Sequence, residues 1–484
     1  MALIKSISGI RGTIGGAPGD NLTPVDIVKF TYAYCTRLRQ RLPKPAGERY
    51  KVVVGKDGRI SGTMVENLVV GTLVSCGVDV VKAGYASTPT TEMAVILSKA
   101  DGGIIITASH NPRQWNALKL LNEKGEFLSA AEGQAVLDCA EKGDFDFACV
   151  DCLGKVSEHD FTDEHIQAVI DLKDVEEDWI RDAGFTVVLD PVNSVGAIIL
   201  PRLLERLGVN CITINHEVTG DFAHNPEPLP SNLKELSEAV LQYHADLGIS
   251  VDPDVDRLAF ICEDGTPFVE ENTLVAVADY LFERAAKVAD AANINLMEAT
   301  APFAPVSVSN LSSSRALRDV TEKWGGQYFA SAVGEVNVTT LIHEKEALIG
   351  GEGNGGVIFP AIHAGRDAMV GVGLFLSYMA AKKKKVSEIK AALPQYSIVK
   401  NRIDLSDSAL IDKILSAVKE RYSSQKVNDI DGVKVDFEDS RSRVHLRRSN
   451  TEPIIRIYSE APTADEAQEL ANEVIAIAKK VIGQ

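Results

Sequence analysis

The chain has 484 residues, of which 45% are hydrophobic and 24% are charged, and its formal net charge is −18. A chain of this length exceeds the size at which one hydrophobic core stops growing, so we expect three or four domains. The negative charge argues against a protein that binds nucleic acid or an anionic membrane, and it favours small molecules as partners.

The sequence lacks the marks of a secreted or membrane protein. No apolar run approaches the roughly 20 residues that span a bilayer, and the first residues, MALIK, contain no apolar stretch of the kind found in a signal peptide. The seven cysteines are odd in number and scattered, which does not indicate a disulfide framework. Cys149 and Cys152 form a single C-x-x-C pair, to which we assign no role. We therefore predict a cytoplasmic protein.

A pattern of strand, small polar turn, helix, glycine and strand occurs three times along the chain. In the first copy, Ser61 is the predicted cap of the helix. The predicted strand, helix and strand of the three copies are residues 51–55, 61–75 and 78–81, then 185–190, 194–207 and 211–214, then 305–310, 312–324 and 327–331. Three recurrences predict three related α/β domains, each with a mostly parallel or mixed sheet flanked by helices.

The pattern changes after the lysine run at residues 382–385, which we interpret as a solvated helix face near a linker. The segments that follow predict a smaller α+β domain, with helices over 410–423 and 464–482 and strands over 444–446 and 454–458. The predicted architecture is three related mixed α/β domains followed by this C-terminal domain, around a central cleft. We place the domains at residues 1–155, 156–263, 264–388 and 389–484.

The first candidate site follows a buried strand in the first domain. Residues 103–112 read GIIITASHNP, so a run of apolar residues leads directly into small and polar residues around Ser109. The segment lacks the G-x-S-x-G turn of a hydrolytic serine, which argues against acyl transfer. Ordinary turn residues ahead of Pro112 are the alternative. Ser109 has a chemical role only if another group activates or modifies it.

The second candidate site is the sequence DPDVDR at residues 252–257, between two predicted strands. Three alternating carboxylates in such a loop are typical of a site for a hard cation. Two like charges about 4 Å apart repel by roughly 4 kcal/mol at an effective dielectric constant near 20, so a converging triad favours a cation such as Mg²⁺. Arg257 stands where an EF-hand loop needs glycine, and we set that motif aside. An aspartyl-phosphate phosphatase and a solvated acidic turn are the alternatives.

The third candidate site is the glycine-rich segment IGGEGNGG at residues 349–356. Its glycines allow the backbone to approach a ligand closely, and Glu352 and Asn354 can hydrogen-bond to sugar hydroxyls. Taken alone, the segment fits a binding loop and a plain turn equally well. The following sequence GRDA at residues 365–368 opens a helix that borders the same predicted pocket.

The fourth candidate site is the turn RRSNTEP at residues 447–453, followed by IIR at residues 454–456. Guanidinium groups bind phosphate bidentately, so arginines beside hydroxyl and amide donors predict a phosphate clamp. A basic turn at the surface without a ligand is the alternative. The concentration of cations in such an acidic chain favours the clamp.

In this combination and order, the four segments resemble the α-D-phosphohexomutase superfamily over nearly the whole chain. The resemblance implies an isomerase, an intramolecular phosphotransferase that moves phosphate between C6 and C1 of a hexose phosphate. Ser109 would rest as phosphoserine, with hexose 1,6-bisphosphate as intermediate and activator. The resemblance implies one Mg²⁺ ion, bound by Ser109, Asp252, Asp254 and Asp256.

The resemblance also implies roles for the other residues of the cleft. Positioning and electrostatics dominate phosphoryl transfer, and the cations that would stabilise the phosphoryl group are Arg11, Lys119 and Arg257. Lys119 and His110 are the candidates for moving the sugar proton. Glu352 and Asn354 would bind the sugar. The non-reacting phosphate would be bound by Arg447, Ser449, Asn450, Thr451 and Arg456.

Details of the motifs favour an amino sugar as the substrate. The TEP ending of the fourth segment, the GIRG at residues 9–12 and the VGE at residues 333–335 resemble phosphoglucosamine mutases and archaeal-type relatives. Asn354 and Gly356 depart from the serine and histidine that many bacterial relatives have in the sugar loop. We predict conversion of glucosamine 6-phosphate to glucosamine 1-phosphate, with a phosphoglucomutase/phosphomannomutase as the alternative.

One alternative of a different class is left. A catalytically silent sensor of sugar phosphates would keep the cleft without the chemistry, although a pure binder has no need of Ser109, the acidic triad and Lys119. The predicted partners are hexose phosphates, without nucleic acid or membrane, and a homodimer remains open.

Overall fold

The structure is a computed structural model, and it describes residues 3–6, 9–45, 47–293, 304–405, 409–448 and 454–483. Fifteen helices and twenty strands lie within these residues, and the strands form four sheets. Three sheets are mixed and flanked by helices, while the last is antiparallel. The predicted fold class is therefore confirmed. The domain boundaries drawn from the sequence stay predictions, and we refer below to four units, one for each sheet.

The first unit contains a sheet of seven strands. These are β1 (Ile4–Ser6), β2 (Gly9–Thr13), β3 (Lys51–Lys56), β4 (Asp79–Tyr85), β5 (Gly102–Ile106), β6 (Trp115–Leu121) and β7 (Val156–Glu158). Their order in the sheet is β1-β2-β6-β5-β3-β4-β7. The helices are α1 (Pro24–Arg41), α2 (Gly62–Ser75), α3 (Thr88–Ser98) and α4 (Ala130–Lys142). Helix α1 begins at a capping box, because the side chains of Thr23 and Asp26 each accept from the other's backbone amide.

The second unit contains a sheet of four strands. These are β8 (Thr186–Asp190), β9 (Asn210–Thr213), β10 (Leu247–Val251) and β11 (Leu258–Cys262), in the order β11-β10-β8-β9. Its helices are α5 (Thr162–Ile170), α6 (Glu177–Ala183), α7 (Gly196–Arg206) and α8 (Lys234–Tyr243).

The third unit also contains four strands. These are β12 (Val306–Asn310), β13 (Gln327–Ser331), β14 (Ile349–Glu352) and β15 (Gly356–Ile358), in the order β13-β12-β14-β15. Its helices are α9 (Glu270–Asn293), α10 (Ala316–Lys323), α11 (Glu335–Lys345), α12 (Ala368–Lys382) and α13 (Val386–Ala392). Helix α12 is buried on all sides over residues 368–380, and its apolar side chains join the cores of the second and third units into one cluster.

The first three units share one arrangement of four strands. In each unit the first strand of this arrangement pairs in parallel with the second and the third, and the third pairs antiparallel with the fourth. The strands in question are β3 to β6, β8 to β11 and β12 to β15. The connection between the third and fourth strands carries a candidate site in every case, at residues 107–114, 252–257 and 353–355. One repeated topology therefore produces three of the four site loops.

The fourth unit contains an antiparallel sheet of five strands. These are β16 (Ser397–Asp404), β17 (Lys426–Asn428), β18 (Val433–Phe437), β19 (Ser442–Arg448) and β20 (Ile454–Ala461), in the order β16-β20-β19-β18-β17. Helices α14 (Ala409–Arg421) and α15 (Ala464–Ile482) pack on this sheet. The described part of the fourth candidate site comprises Arg447 and Arg448 at the end of β19 and residues 454–456 at the start of β20.

Three local predictions are wrong. Helix α2 starts after Ser61, but the Ser61 side chain makes no capping hydrogen bond and instead accepts from Asn116 Nδ2 at 2.9 Å. The lysine run does not form one helix face, because α12 ends at Lys382 and residues 383–385 form an exposed turn. The sequence prediction also missed β16, β17 and β18, whose many polar residues hide the apolar alternation that marks a strand.

Within the described residues, no helix has both the length and the apolar composition needed to cross a membrane.

Candidate active site

A cavity of about 620 Å³ lies where the four units meet, and each unit contributes side chains to its lining. Ser109 reaches it from the first unit and Arg257 from the second. Residues from the later units include Glu352, Asn354, Arg447 and Arg456. The structure thus brings together the four sequence segments in one cleft. The predicted site residues that line this cleft are Arg11, Ser109, His110, Lys119, Arg257, Glu352, Asn354, Arg447 and Arg456.

Ser109 occupies a constrained turn at the carboxyl end of β5. Its backbone has φ = 48°, in the left-handed region that non-glycine residues seldom adopt. Its amide donates to Thr107 Oγ1 at 2.9 Å, and its hydroxyl donates to Asp252 Oδ2 at 2.6 Å. The turn therefore aims the hydroxyl group of the first unit directly at the acidic loop of the second.

Arg59 holds this turn, and the sequence analysis missed it. Its guanidinium group is buried and donates to the carbonyl oxygens of four loop residues, Ser109, Asn111, Pro112 and Trp115. Asp57 Oδ2 accepts from Arg59 Nε at 3.1 Å and from Thr107 Oγ1 at 2.6 Å. The available signal was an aspartate and an arginine directly after the buried strand β3.

The three aspartates of the second site lie behind the cavity wall and are fully buried. Asp252 Oδ1 accepts from the backbone amides of Asp256 and Arg257, at 3.2 and 3.1 Å. Asp254 Oδ2 accepts from Lys119 Nζ at 2.7 Å and from Thr88 Oγ1 at 2.6 Å. One oxygen of each aspartate lies within 4.8 Å of the others, so the triad can hold a metal ion.

Two carboxylate oxygens of the triad are available to bind a cation. Asp254 Oδ1 and Asp256 Oδ1 are buried and have no hydrogen-bond partner among the described residues. A buried acceptor without a donor costs about 1–3 kcal/mol, and more when it is charged. Carboxylate oxygens are the ligands that Mg²⁺ prefers, so the donor set of the triad fits that ion.

The charges around the triad shift its pKa values in opposite directions. Burial raises the pKa of Asp252 well above its ordinary value, and the charges of Asp256 and Asp254 add to the rise. Burial also acts on Asp254, but Lys119 together with the hydrogen bonds from Thr88 and Asp252 outweighs it and lowers the pKa of that carboxyl. The pKa of Lys119 is raised in turn, since Asp254 and Asp256 outweigh the burial that would lower it. Lys119 is therefore a charged ammonium group here.

The pKa of His110 is shifted in the opposite direction to that of Lys119. Burial, followed by the charges of Arg257 and Arg11, lowers the pKa of the His110 imidazole well below its ordinary value. His110 Nδ1 lies 3.3 Å from Ser109 Oγ. His110 is therefore a neutral imidazole, which can accept a proton as a base, whereas the charged Lys119 cannot.

Arg366 connects the acidic triad with the glycine-rich loop around Glu352, whereas the sequence analysis placed it only at the border of the predicted pocket. It donates to Asp256 Oδ2 at 2.7 Å, to Glu352 Oε2 at 2.9 Å and to Glu335 Oε2 at 3.1 Å. Burial opposes its charge, but the three acids, Asp256 first, raise the pKa of Arg366 well above its ordinary value. Arg366 is therefore a fixed positive charge between two site loops.

Glu352 accepts several hydrogen bonds from the protein itself. Besides Arg366, it accepts from Asn310 Nδ2 at 2.8 Å and from the amide of Gly334 at 3.2 Å. Asn354 Nδ2 lies 3.3 Å from Glu352 Oε2. The predicted sugar-binding pair therefore stands in a preformed network, and Asn354 is the member with fewer protein partners.

Cations from the fourth unit face the cleft. Arg447 and Arg456 are directly opposite each other on β19 and β20, and both line the cavity. Lys400 on β16 also lines it, and its Nζ lies 3.4 Å from Glu270 Oε1 of the third unit. The sequence analysis missed Lys400. The predicted phosphate ligands Ser449, Asn450 and Thr451 lie outside the described residues.

Four family models match the chain in succession. They are the phosphoglucomutase/phosphomannomutase alpha/beta/alpha domain I over residues 3–147, domain II over 163–265, domain III over 271–396 and the C-terminal domain over 381–477. The chain belongs to the phosphohexomutase family. It is accordingly an isomerase of the phosphomutase class, and the predicted superfamily and enzyme class are confirmed.

Individual relatives agree with this membership. The chain is 33% identical over 463 residues to a phosphoglucomutase/phosphomannomutase of Thermococcus kodakarensis, with 95% of this chain and 96% of that protein covered. It is 31% identical over 489 residues to a phosphoglucosamine/phosphogalactosamine mutase of Sulfurisphaera tokodaii, covering 100% and 99%. The crystal structure of a phosphoglucomutase/phosphomannomutase family protein from Burkholderia thailandensis has the same fold, with TM-score 0.81, 22% identity and coverage of 99% and 98%.

Proposed function

We propose that this phosphohexomutase transfers phosphate between C6 and C1 of a hexose phosphate through a phosphorylated Ser109. The observation that carries the proposal is the hydrogen bond of 2.6 Å between Ser109 Oγ and Asp252 Oδ2. It joins a nucleophilic oxygen to an acidic triad in which two other oxygens, Asp254 Oδ1 and Asp256 Oδ1, lack donors among the described residues. Phosphoryl transfer needs this combination of a positioned oxygen and concentrated charge.

Mg²⁺ is the proposed cofactor, held by the phosphorylated Ser109 with Asp252, Asp254 and Asp256. When bound, it would neutralise negative charge on the triad and on a phosphoryl oxygen. The protein supplies the remaining positive charge from Lys119 and Arg257, which lie on the two sides of the triad. Lys119 Nζ is 2.7 Å from Asp254, and Arg257 Nε is 3.8 Å from Asp252.

The reaction proceeds in two transfers that use the same residues. In the first, the bond between Ser109 Oγ and phosphorus breaks while a hydroxyl oxygen of the sugar monophosphate bonds to phosphorus, which gives a hexose 1,6-bisphosphate. The hydroxyl proton passes to a base, for which neutral His110 is the candidate. After the bisphosphate turns around in the cleft, the bond between its other phosphorus and the sugar oxygen breaks while that phosphorus bonds to Ser109 Oγ, and the base returns the proton to the sugar oxygen. Arg447 and Arg456 bind whichever phosphate is not reacting.

Glucosamine phosphate is the proposed substrate, and glucose or mannose phosphate the alternative. The names of the two relatives above cover both substrate classes. A carboxyl group in the cleft favours the amino sugar. Glu271 lines the cavity, and the amide of Ser314, at 2.9 Å, is its one hydrogen-bond donor among the described residues. Its second oxygen can accept from the amino group of the sugar.

The deciding experiment compares mutase turnover of glucosamine, glucose and mannose 6-phosphates with Mg²⁺ and a trace of the bisphosphate. Ser109→Ala should lower turnover by at least about 10⁴-fold, as expected when a covalent nucleophile is removed. Ser98→Ala, a helix serine that bonds to Ala94, is the matched control and should keep full turnover.

Mass spectrometry of the purified protein should show phosphate on Ser109. A dominant turnover of glucose or mannose phosphate would keep the reaction and replace the substrate. If no sugar phosphate is converted and Ser109 carries no phosphate, the chain is a silent sensor. The predicted cytoplasmic location and homodimer stay predictions.

A further inference from the structure

A second group of metal-ligating side chains lies outside the cleft. His165 on α5, His363 before α12 and Asp367 at the start of α12 place one ligand atom each within 4.8 Å of one another. All three are buried, with side chains at most 2% exposed. None of them lines the active-site cavity in the described part of the chain, and the phosphoryl transfer gives them no role.

The two imidazoles converge on a single oxygen atom. His165 Nε2 lies 2.9 Å from Asp367 Oδ2, and His363 Nε2 lies 3.2 Å from the same oxygen. The other oxygen of Asp367 accepts from the amide of Met369 at 2.8 Å and caps α12, which fixes the orientation of the carboxylate. Three ligand atoms therefore face one point from two different units.

The far side of each imidazole meets a polar group of the first unit. His165 Nδ1 lies 3.1 Å from Thr90 Oγ1, and His363 Nδ1 lies 3.2 Å from Glu92 Oε2. Both partners belong to α3. Metal-bound histidines usually donate their other N–H to an oxygen atom in this way, which fixes the tautomer that leaves Nε2 free for the ion.

The charges around His363 favour a cation at this place. The carboxylates of Glu92 and Asp367 are buried on either side of His363, each 3.2 Å from one of its ring nitrogens. A proton on His363 supplies one positive charge to this pair of acids, whereas a divalent cation makes the whole group neutral, and unpaired buried charge is strongly unfavourable.

We propose that His165 Nε2, His363 Nε2 and Asp367 Oδ2 bind a divalent transition-metal ion of the zinc type, separate from the acidic triad. Two imidazoles and one carboxylate are typical ligands of Zn²⁺, whereas the all-oxygen triad suits Mg²⁺. The two sites are therefore distinguished by ligand chemistry. Because both Nε2 atoms must be deprotonated to bind, metal uptake releases protons to the solvent.

The ion has a structural role in this proposal. Its ligands come from the second and third units, and their supporting residues Thr90 and Glu92 come from the first. A single ion would thus connect three units at a point away from the substrate.

The test uses the full-length protein, stripped of metal with a chelator and then exchanged into buffer with Zn²⁺ in modest excess. After removal of free metal, elemental analysis should find about one zinc per chain. The variant His165→Ala/His363→Ala should retain none. His343→Ala is the matched control, since His343 also joins the third unit to the first, through Glu126 at 2.8 Å, but lies at the surface. It should keep the zinc.

Two further measurements separate a ligand role from a structural one. Co²⁺ in place of Zn²⁺ should give the intense visible bands of a low-coordinate ion with nitrogen ligands, and this readout needs only the wild-type chain. Glu92→Gln should weaken zinc binding by about 10–100-fold without abolishing it, as expected for a group behind a ligand.

The proposal is overturned if the stripped wild-type protein takes up no zinc. It is equally overturned if the double histidine variant binds as much as the wild type, or if the cobalt spectrum is that of an all-oxygen site. The two imidazoles would then be linked to Asp367 by shared protons alone.

Discussion

Two buried clusters of charged side chains, the acidic triad and the histidine cluster, are contacted by the neighbouring residues Arg366 and Asp367. The two clusters differ in their access to the cavity and in the signs of their charges. Arg366 points to the acidic triad through Asp256, and Asp367 points to His165 and His363. The triad adjoins the cavity and keeps carboxylate oxygens without donors among the described residues. The histidine cluster is closed to solvent, and a Cβ at Gly365 would lie 1.9 Å from Glu92 Oε2.

The two groups show that buried charged side chains can serve either activity or stability. Like charges held together without solvent store free energy that a substrate phosphate or a cation can release, so the triad favours function over stability. In the histidine cluster the charges are opposite in sign and come from separate units, so their burial favours a fixed arrangement of the units. Mutations in the two places should therefore separate activity from stability.

The largest expected effect is on activity, in the triad. Asp252→Asn removes the acceptor of the Ser109 hydroxyl and one of three converging negative charges, while keeping the shape of the side chain. Turnover should fall by about 10³-fold, the upper end of the loss seen when one positioned electrostatic group is removed. The free energy of unfolding should stay equal or rise, because repulsion with Asp254 and Asp256 is relieved. Steady-state kinetics and urea unfolding of the same preparation measure both quantities.

A stability loss together with the loss of turnover would contradict this comparison, because it would mean that the triad is a stabilising element of the fold.

The histidine cluster should respond in the opposite way. His363→Gln leaves the carboxylates of Glu92 and Asp367 buried without their cationic partner, and removing one member of a buried ion pair costs about 3–5 kcal/mol. The free energy of unfolding, measured in excess chelator, should fall by this amount. Turnover well below the unfolding temperature should stay within a few-fold of wild type.

The matched control is His343→Gln, which breaks the pair between His343 and Glu126 at the surface. Exposed pairs contribute about 0–1 kcal/mol, so its unfolding should hardly change. Equal changes in the free energy of unfolding for the two substitutions would mean that burial of the His363 ion pair between the units adds no stability.

The sequence predicted the loops that the structure brings together at the cleft, because each is a short contiguous segment with a local pattern. The strand before Ser109, the alternation of Asp252 to Asp256 and the glycines around Glu352 are all visible within ten residues. The common topology of the first three units explains why they meet, since each loop joins the third strand of its unit to the fourth.

Most of the contacts that the sequence did not predict join different units. Arg366, Lys400 and His165 each contact a residue of another unit more than 100 positions away, as Arg366 with Asp256 and His165 with Asp367 show. Periodicity and motif spacing carry no such information. The sequence analysis missed strands β16 to β18 for another reason. Polar residues interrupt the apolar alternation on which strand prediction depends.

A smaller effect on activity is expected at Arg59, which supports the Ser109 turn without touching substrate. Arg59→Lys keeps the charge but replaces a planar group that donates to four loop carbonyls by a single ammonium. A displacement of the turn of about 1 Å should lower kcat by about 10²-fold. KM for the sugar phosphate should change little, since Arg447 and Arg456, the proposed phosphate ligands of the fourth unit, are unchanged. A change confined to KM would place Arg59 in substrate binding instead.

The smallest effect per pH unit is on stability, at the carboxyl group that faces the cleft. Burial raises the pKa of Glu271 from 4.5 to about 8, so the folded protein holds a proton that the unfolded chain releases between these values. Stability from this group is complete below pH 4.5 and is lost as the pH rises to about 8, by up to about 1.4 kcal/mol per pH unit. Glu271→Gln should remove this slope, so the variant becomes more stable relative to wild type as the pH rises. Urea unfolding across this window measures the difference, with the exposed Glu420→Gln as a control that should follow the wild type. Parallel curves for Glu271→Gln and wild type would show that Glu271 ionises freely in the folded state, and that the cleft around it is as polar as water.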